Sequence, residues 1–123
     1  LCGDDFSIWS GNDEQVVPMM SLGAKGVISV VANINPKLMV DITHRCLEGQ
    51  FEEAARLQLE HMDLIDALFC EVNPIPVKAA LNLMGKDVGG LRLPLCDISP
   101  ANLEVLRAAM ERTGLLPASG AAQ

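Results

Sequence analysis

Few side chains in this sequence are placed to do chemistry. Lys78 follows the Pro74/Pro76 pair near a helix start and could be imagined as an amine nucleophile towards a carbonyl. That role needs burial or neighbouring cations to depress its pKa, and the sequence supplies neither, so a structural lysine is the expectation. His44 and His61 fall on different helical segments with no ligand-spaced partner. They are expected at the surface or in helix packing, and no metal site is predicted. Cys2, Cys46, Cys70 and Cys96 form no C-x-x-C pair, so reduced, mostly buried thiols are expected, as in a cytoplasmic protein. Asp4-Asp5 reads as a solvated loop, and Glu48, Glu52, Glu53 and Glu60 as a solvated helix face. Met19-Met20 is expected in core packing. The sequence contains no tyrosine, and nothing in it points to a cofactor.

The elements that would position these residues follow from periodicity and caps. Leu1-Cys2-Gly3 reads as a helix ending. Phe6–Ser10 alternates apolar and polar and is expected to be a short strand. Ser10-Gly11-Asn12-Asp13 is a turn, from which Asn12 or Asp13 would cap a helix over 14–22 that Gly23 ends. Gly26-Val-Ile-Ser-Val-Val-Ala32 is β-branched and almost continuously apolar, as in a strand of a parallel sheet buried on both faces. Asn35 and Pro36 open a helix that Gly49 closes. Apolar residues at 51, 54, 57, 62, 65, 68, 69 and 72 predict one long amphipathic helix. Asn73-Pro-Ile-Pro76 interrupts it, and Val77–Met84 is a short helix. Residues 86–95 form a loop or arm, and Ser99-Pro100 opens a last helix that Gly114 closes.

The fold class is therefore α/β: strand, helix, strand, then helices. Two parallel strands do not make a stable sheet interior, so the pattern suggests the end of a larger α/β protein. The chain has 123 residues and starts at Leu1, which suggests a processed, tagged or excised product. Half of the residues are apolar and a fifth are charged, a globular balance. The net charge of −7 disfavours nucleic acid and anionic membranes. No apolar run is long enough to span a bilayer, and no signal peptide is apparent.

Three stretches carry a resemblance: Cys2-Gly-Asp-Asp5 with Ser10-Gly-Asn-Asp13; Leu22-Gly-Ala-Lys-Gly-Val-Ile-Ser-Val30 with Ala32-Asn33; and Phe69-Cys-Glu-Val-Asn-Pro-Ile-Pro-Val-Lys78 with Leu91-Arg-Leu-Pro-Leu95. In order and spacing, residues 1–116 resemble the C-terminal part of the dihydrodipicolinate synthases. The Gly-Val-Ile-Ser-Val stretch is shared more widely among pyruvate aldolases, including N-acetylneuraminate lyases.

The resemblance implies the last two βα units of a TIM (β/α)8 barrel followed by a helical C-terminal domain. Phe6–Ser10 would be strand seven, Gly26–Val31 strand eight and Pro36–Gly49 part of helix eight. The implied domains are 1–49 from the barrel, 50–116 as the helical domain and 117–123 as a disordered tail. The implied reaction is a carbon–carbon lyase condensation of pyruvate with aspartate semialdehyde in lysine (diaminopimelate) biosynthesis, through a Schiff base on a strand-six lysine. The implied substrate-binding residues are Gly11, whose backbone would approach the substrate, and Ile28, which would pack against pyruvate. Asn12 stands where some members carry aspartate. The Schiff-base lysine and the tyrosine relay lie upstream of residue 1 in this alignment, so no catalytic residue is expected in this chain. Lys25 would sit at the end of the barrel away from the chemistry. A cytoplasmic homo-oligomer, usually a tetramer, is implied, with Leu22 near a subunit interface. Two alternatives stand beside it: a piece of another pyruvate aldolase such as N-acetylneuraminate lyase, or a non-catalytic assembly module.

Overall fold

The computed structural model describes Gly3 and residues 5–117. The expected helix ending at Leu1-Cys2 and the tail at 118–123 lie outside the described residues. The chain divides into two compact units, residues 1–62 and 63–123.

In the first unit, two extended segments pair in parallel. The Lys25 amide donates to the Ile8 carbonyl (2.8 Å), the Ser10 amide to Gly26 (2.8 Å) and the Ile28 amide to Ser10 (2.8 Å). Ser10 and Val27 form a single parallel bridge. The turn at Ser10–Asp13 leads into a 3-10 turn, Asp13–Gln15, and helix α1, Val16–Ser21. Helix α1 is shorter than the expected 14–22 because its first turn is wound as 3-10.

The expectation of one buried strand over 26–32 is corrected. The extended run ends near Ile28, Val30 is already right-handed helical, and Val31–Asn33 is a 3-10 turn. The cause is remote in sequence: one carboxylate oxygen of Asp13 accepts the amide hydrogens of both Val30 and Val31. That converging pair of bonds fits the first turn of a helix, where successive amides point the same way. Nor is the run buried on both faces, since Ile28 is 73% exposed.

Asn35 and Pro36 open helix α2, Pro36–Leu47, as expected; the Asn35 side chain accepts from the Leu38 amide (3.2 Å). Gly49 takes a left-handed φ of 78° beyond its end, the conformation that favours glycine there. Helices α1, α2 and α3 (Phe51–Glu60) pack on one another. Val16, Val31, Leu38, Ile42 and Ala54 are among their buried residues.

The expected single helix over 51–72 is two. It breaks at His61, and α4 runs Met62–Leu68. His61 leaves helical geometry (φ −113°, ψ 9°). Its amide bonds to Gln58, while its ring Nδ1 takes the Leu57 carbonyl at 2.9 Å. The imidazole replaces a backbone bond, so the helix ends with neither glycine nor proline.

In the second unit, α5 spans Ile75–Leu83, beginning two residues before the expected start, and α6 spans Pro100–Arg112. Residues 86–95 form an arm without helix, as expected. Ser99 caps α6 by accepting from the Asn102 amide (3.4 Å). Glu71 reinforces that start, accepting from the Ser99 amide (3.0 Å) and from Asn102 Nδ2 (2.8 Å). These bonds, Asn102 first, hold the Glu71 carboxyl below its ordinary value. Ile65, Leu68, Ala80, Leu106 and Met110 are buried.

The cysteines depart from expectation. Cys46 is buried, and burial pushes its thiol up, but Cys70 and Cys96 are exposed. Cys70 follows the last turn of α4, so apolar neighbours in sequence do not face it inward. Met20 is buried as expected, and Met19 is half-buried. Glu48, Glu52, Glu53 and Glu60 are exposed, Glu60 pairing with Arg56 (2.7 Å).

Candidate active-site face

The paired segments place their side chains on two faces. Because Ser10 opposes Val27, alternation puts those two on one face and Trp9, Gly26 and Ile28 on the other. The first face is closed over Ser10, which is fully buried, whereas Trp9 is 52% exposed. Gly26 lies beneath the Trp9 ring. A Cβ there would stand 2.7 Å from Trp9 Cζ3, so any other residue would displace the indole from this position. Trp9, Gly26 and Val27 also border a cavity of about 320 Å³ shared with Pro36, Met39 and Thr43 of α2.

Gly11 sits where the first segment turns towards α1. Ser10 builds that turn: its hydroxyl donates to the Asn12 carbonyl (2.7 Å) and accepts from the Asn12 amide (3.2 Å). Neither bond uses the N–H or the C=O of Gly11. The left-handed glycines of this chain do not include Gly11, and a Cβ built on it meets nothing within 4 Å. Turn geometry is thus not what requires glycine here. Asn12 bonds its side chain to Glu14 (3.2 Å) and provides no helix cap.

Two polar residues that sequence reasoning missed hold this turn. Asp13, 1% exposed, reaches across to Val30 and Val31. Gln58 of α3, also buried, accepts from the Val17 amide (3.1 Å) and donates to the Glu14 carbonyl. An aspartate following Ser-Gly-Asn reads as a solvent-facing cap in sequence. Its inward direction depends on a contact 17 residues away. Gln58 gave one faint signal, a polar residue on the stripe of a helix otherwise apolar on that side.

The remaining candidates do not join this site. Lys25 is exposed at the opposite end of the pairing from Gly11. Lys78 is in the second unit, where it borders a cavity of about 360 Å³ with Ile75, Asn82, Leu91, Ile98 and Leu103. Its ammonium donates to the Gly90 carbonyl, tying the arm to α5. Asn82 reinforces the tie through the Val88 amide (3.2 Å) and the Gly89 carbonyl (3.4 Å). His44 is exposed and His61 serves its helix end. Among the described residues, no group of three or more His, Cys, Asp or Glu could hold a metal ion, and no helix is long and apolar enough to cross a membrane.

The family model described as the Dihydrodipicolinate synthetase family matches residues 1–113. The 4-hydroxy-tetrahydrodipicolinate synthase of Clostridium novyi is 57% identical over 111 residues, covering 90% of this chain and 38% of the relative. Among solved structures, the chloride-inhibited dihydrodipicolinate synthase of Acinetobacter baumannii, complexed with pyruvate, superposes with a TM-score of 0.86 at 40% identity, over 90% of this chain and 38% of the other. A monomeric dihydrodipicolinate synthase variant superposes with a TM-score of 0.87 at 46% identity, over 91% of this chain and 37% of the other. The chain thus spans about two fifths of the length of these relatives, and its fold belongs with their α/β class.

Proposed function

Because this chain belongs to the dihydrodipicolinate synthetase family, we propose that it is the C-terminal part of a lyase condensing pyruvate with aspartate semialdehyde in lysine biosynthesis. Residues 6–10 and the extended run from Gly26 to Ile28 correspond to strands seven and eight of a (β/α)8 barrel, and residues 50–116 to its helical C-terminal domain. The Schiff-base lysine comes from the upstream part of the full enzyme. This chain contributes two walls of the pyruvate pocket, the Gly11 backbone and the Ile28 side chain.

The observation that carries this reading is the juxtaposition at one end of the parallel pair. Barrel chemistry is done at the C-terminal ends of strands. There Ile28 is open, and Gly11 has no positive φ and no crowding neighbour that would demand glycine. Close approach of a substrate to the backbone supplies the missing reason. The pyruvate complex of the Acinetobacter baumannii relative supports pyruvate as the ligand.

The test is a chimera in which residues 1–116 replace the matching segment of the Clostridium novyi synthase. Turnover of pyruvate with aspartate semialdehyde, and no cleavage of N-acetylneuraminate, is expected. The reverse selectivity would assign the segment to the sialic-acid branch of the pyruvate aldolases.

We also propose that the full chain acts in the cytoplasm as a homo-oligomer, with Leu22 in a subunit contact. Leu22, 89% exposed at the end of α1, supports that reading. It would also suit the second reading, an assembly module without catalysis. Sedimentation of the chimera with Leu22→Asp is expected to show smaller species than the parent. Equal masses would remove Leu22 from the interface.

A further inference from the structure

Asp13 is buried to 1% exposure, and Val16 and Val31 near it in the fold are fully buried. Its Oδ2 accepts from the Val30 amide at 2.9 Å and from the Val31 amide at 3.1 Å. Its Oδ1 is also buried and has no hydrogen-bond partner among the described residues. Burying a carboxylate with half of its acceptor capacity unmet is costly. What it provides is a pair of charge-assisted bonds, stronger than neutral ones.

Those bonds have a particular address. Asp13 lies two residues beyond Gly11, and Val30 two residues beyond Ile28. The bonds therefore tie together the two turns that leave the paired segments, on the side where both proposed pyruvate contacts sit. Around the tie, the Ser10 hydroxyl fixes the peptide of Asn12, and Gln58 fixes Glu14 and Val17. The three backbone bonds of the pairing itself do not involve Asp13.

We propose that Asp13 is a positioning residue for pyruvate: its carboxylate clasps the amides of Val30 and Val31 and so fixes the spacing between the Gly11 backbone and the Ile28 side chain. It does not touch the substrate. The proposal rests on the assignment of Gly11 and Ile28 to the pyruvate pocket, and predicts an effect on pyruvate that aspartate semialdehyde does not share.

The test uses the chimeric synthase with Asp13→Asn and Asp13→Ala, read by steady-state kinetics, thermal unfolding and amide hydrogen exchange. Asparagine keeps an acceptor oxygen without the charge, and alanine removes both. The pyruvate KM is expected to rise several-fold in Asp13→Asn, and kcat/KM for pyruvate to fall on the order of 100-fold in Asp13→Ala. The aspartate semialdehyde KM stays within about twofold in both. Exchange at the Val30 and Val31 amides accelerates in the same order. If Asp13→Ala does not fold, Asp13→Asn decides alone. A variant that melts lower but keeps the native pyruvate KM would overturn the proposal, since the clasp would then serve stability only. A parent chimera without turnover would instead count against the functional assignment. The clasp would still be judged by exchange: faster at Val30 and Val31 in Asp13→Asn supports it, and unchanged rates overturn it.

Discussion

The two units solve the same problem, satisfying a chain's ends and faces, in different ways. Between residues 63 and 117 helix ends and the arm are closed by side chains, some within one turn and one, Glu71, from 28 residues away. Ser99 caps its own helix, Glu71 seals that cap, and Lys78 and Asn82 hold down the arm that follows their helix. Between residues 5 and 34 the chain leaves Phe6, Ile8, Trp9 and Ile28 exposed along two short paired segments. It also spends buried polar residues, Asp13 and Gln58, on joining turns. Apolar groups left open on paired strands call for neighbouring strands, and buried polar groups around a turn call for a fixed geometry. Exposed apolar groups occur in both units, Leu93 and Val72 among them in the second, so what sets residues 5–34 apart is that their open groups lie on paired strand segments and their turns are joined by buried polar side chains.

The contrast can be broken by substitution, and the largest effect is expected where packing is closed. Leu106 is fully buried in α6, and Leu106→Ala should cost about 2–5 kcal/mol in chemical unfolding of the chimera. A cost under about 1 kcal/mol would mean that α6 is not a packed core element. Next comes Gly26→Val, which drives a side chain into Trp9. About 1–3 kcal/mol is expected, with a change in the fluorescence of Trp9, the sole tryptophan of this segment. An unaltered Trp9 signal would show that the ring does not rest on Gly26.

Ser99→Ala should cost about 1 kcal/mol, the ordinary worth of such a cap. Its partner Glu71 adds a pH dependence. Because hydrogen bonds from Asn102 and Ser99 lower its folded pKa, its contribution is full above the ordinary carboxyl value of 4.5 and is lost as pH falls through the lowered value. Glu71→Gln should remove that acid-side loss, so unfolding midpoints of parent and variant converge as the solution is acidified. Parallel curves from pH 7 to pH 3 would exclude Glu71 as the source. The smallest stability effect belongs to the open face: Ile28→Ser should shift unfolding by no more than about 0.5 kcal/mol. The same variant should raise the pyruvate KM, and stability and binding would part at this residue. A large stability loss with unchanged pyruvate KM would reclassify Ile28 as packing.

Legibility in the sequence followed the range of the interactions. Asn35, Ser99, Gly49 and Gly114 marked helix ends correctly because a cap is decided by residues within one turn. The arm over 86–95 and a break before Pro74 were readable for the same reason, although Pro76 already lies in the first turn of α5. The stretch 26–32 was misread because Val27, Ile28, Val30 and Val31 all favour strand, while the bend at Val30 is imposed by Asp13. The break at His61 was hidden because a side chain competing for a carbonyl leaves no compositional mark. Ile28 could be placed through a family resemblance, but its exposure could not, since exposure depends on what lies against the strand. Gly11 was readable as a turn glycine, and the structure removed that explanation rather than supporting it.

On the proposed function, this chain walls a pyruvate site without supplying its nucleophile. Trapping with pyruvate and borohydride, read by intact mass and peptide mapping, tests this most directly when this chain and the chimera are compared. The expected result is a stoichiometric adduct on the chimera, mapping outside these 123 residues, and none on the chain alone. An adduct on Lys78 or any other lysine of this chain would contradict the account, as would a folded chimera that traps no pyruvate at all.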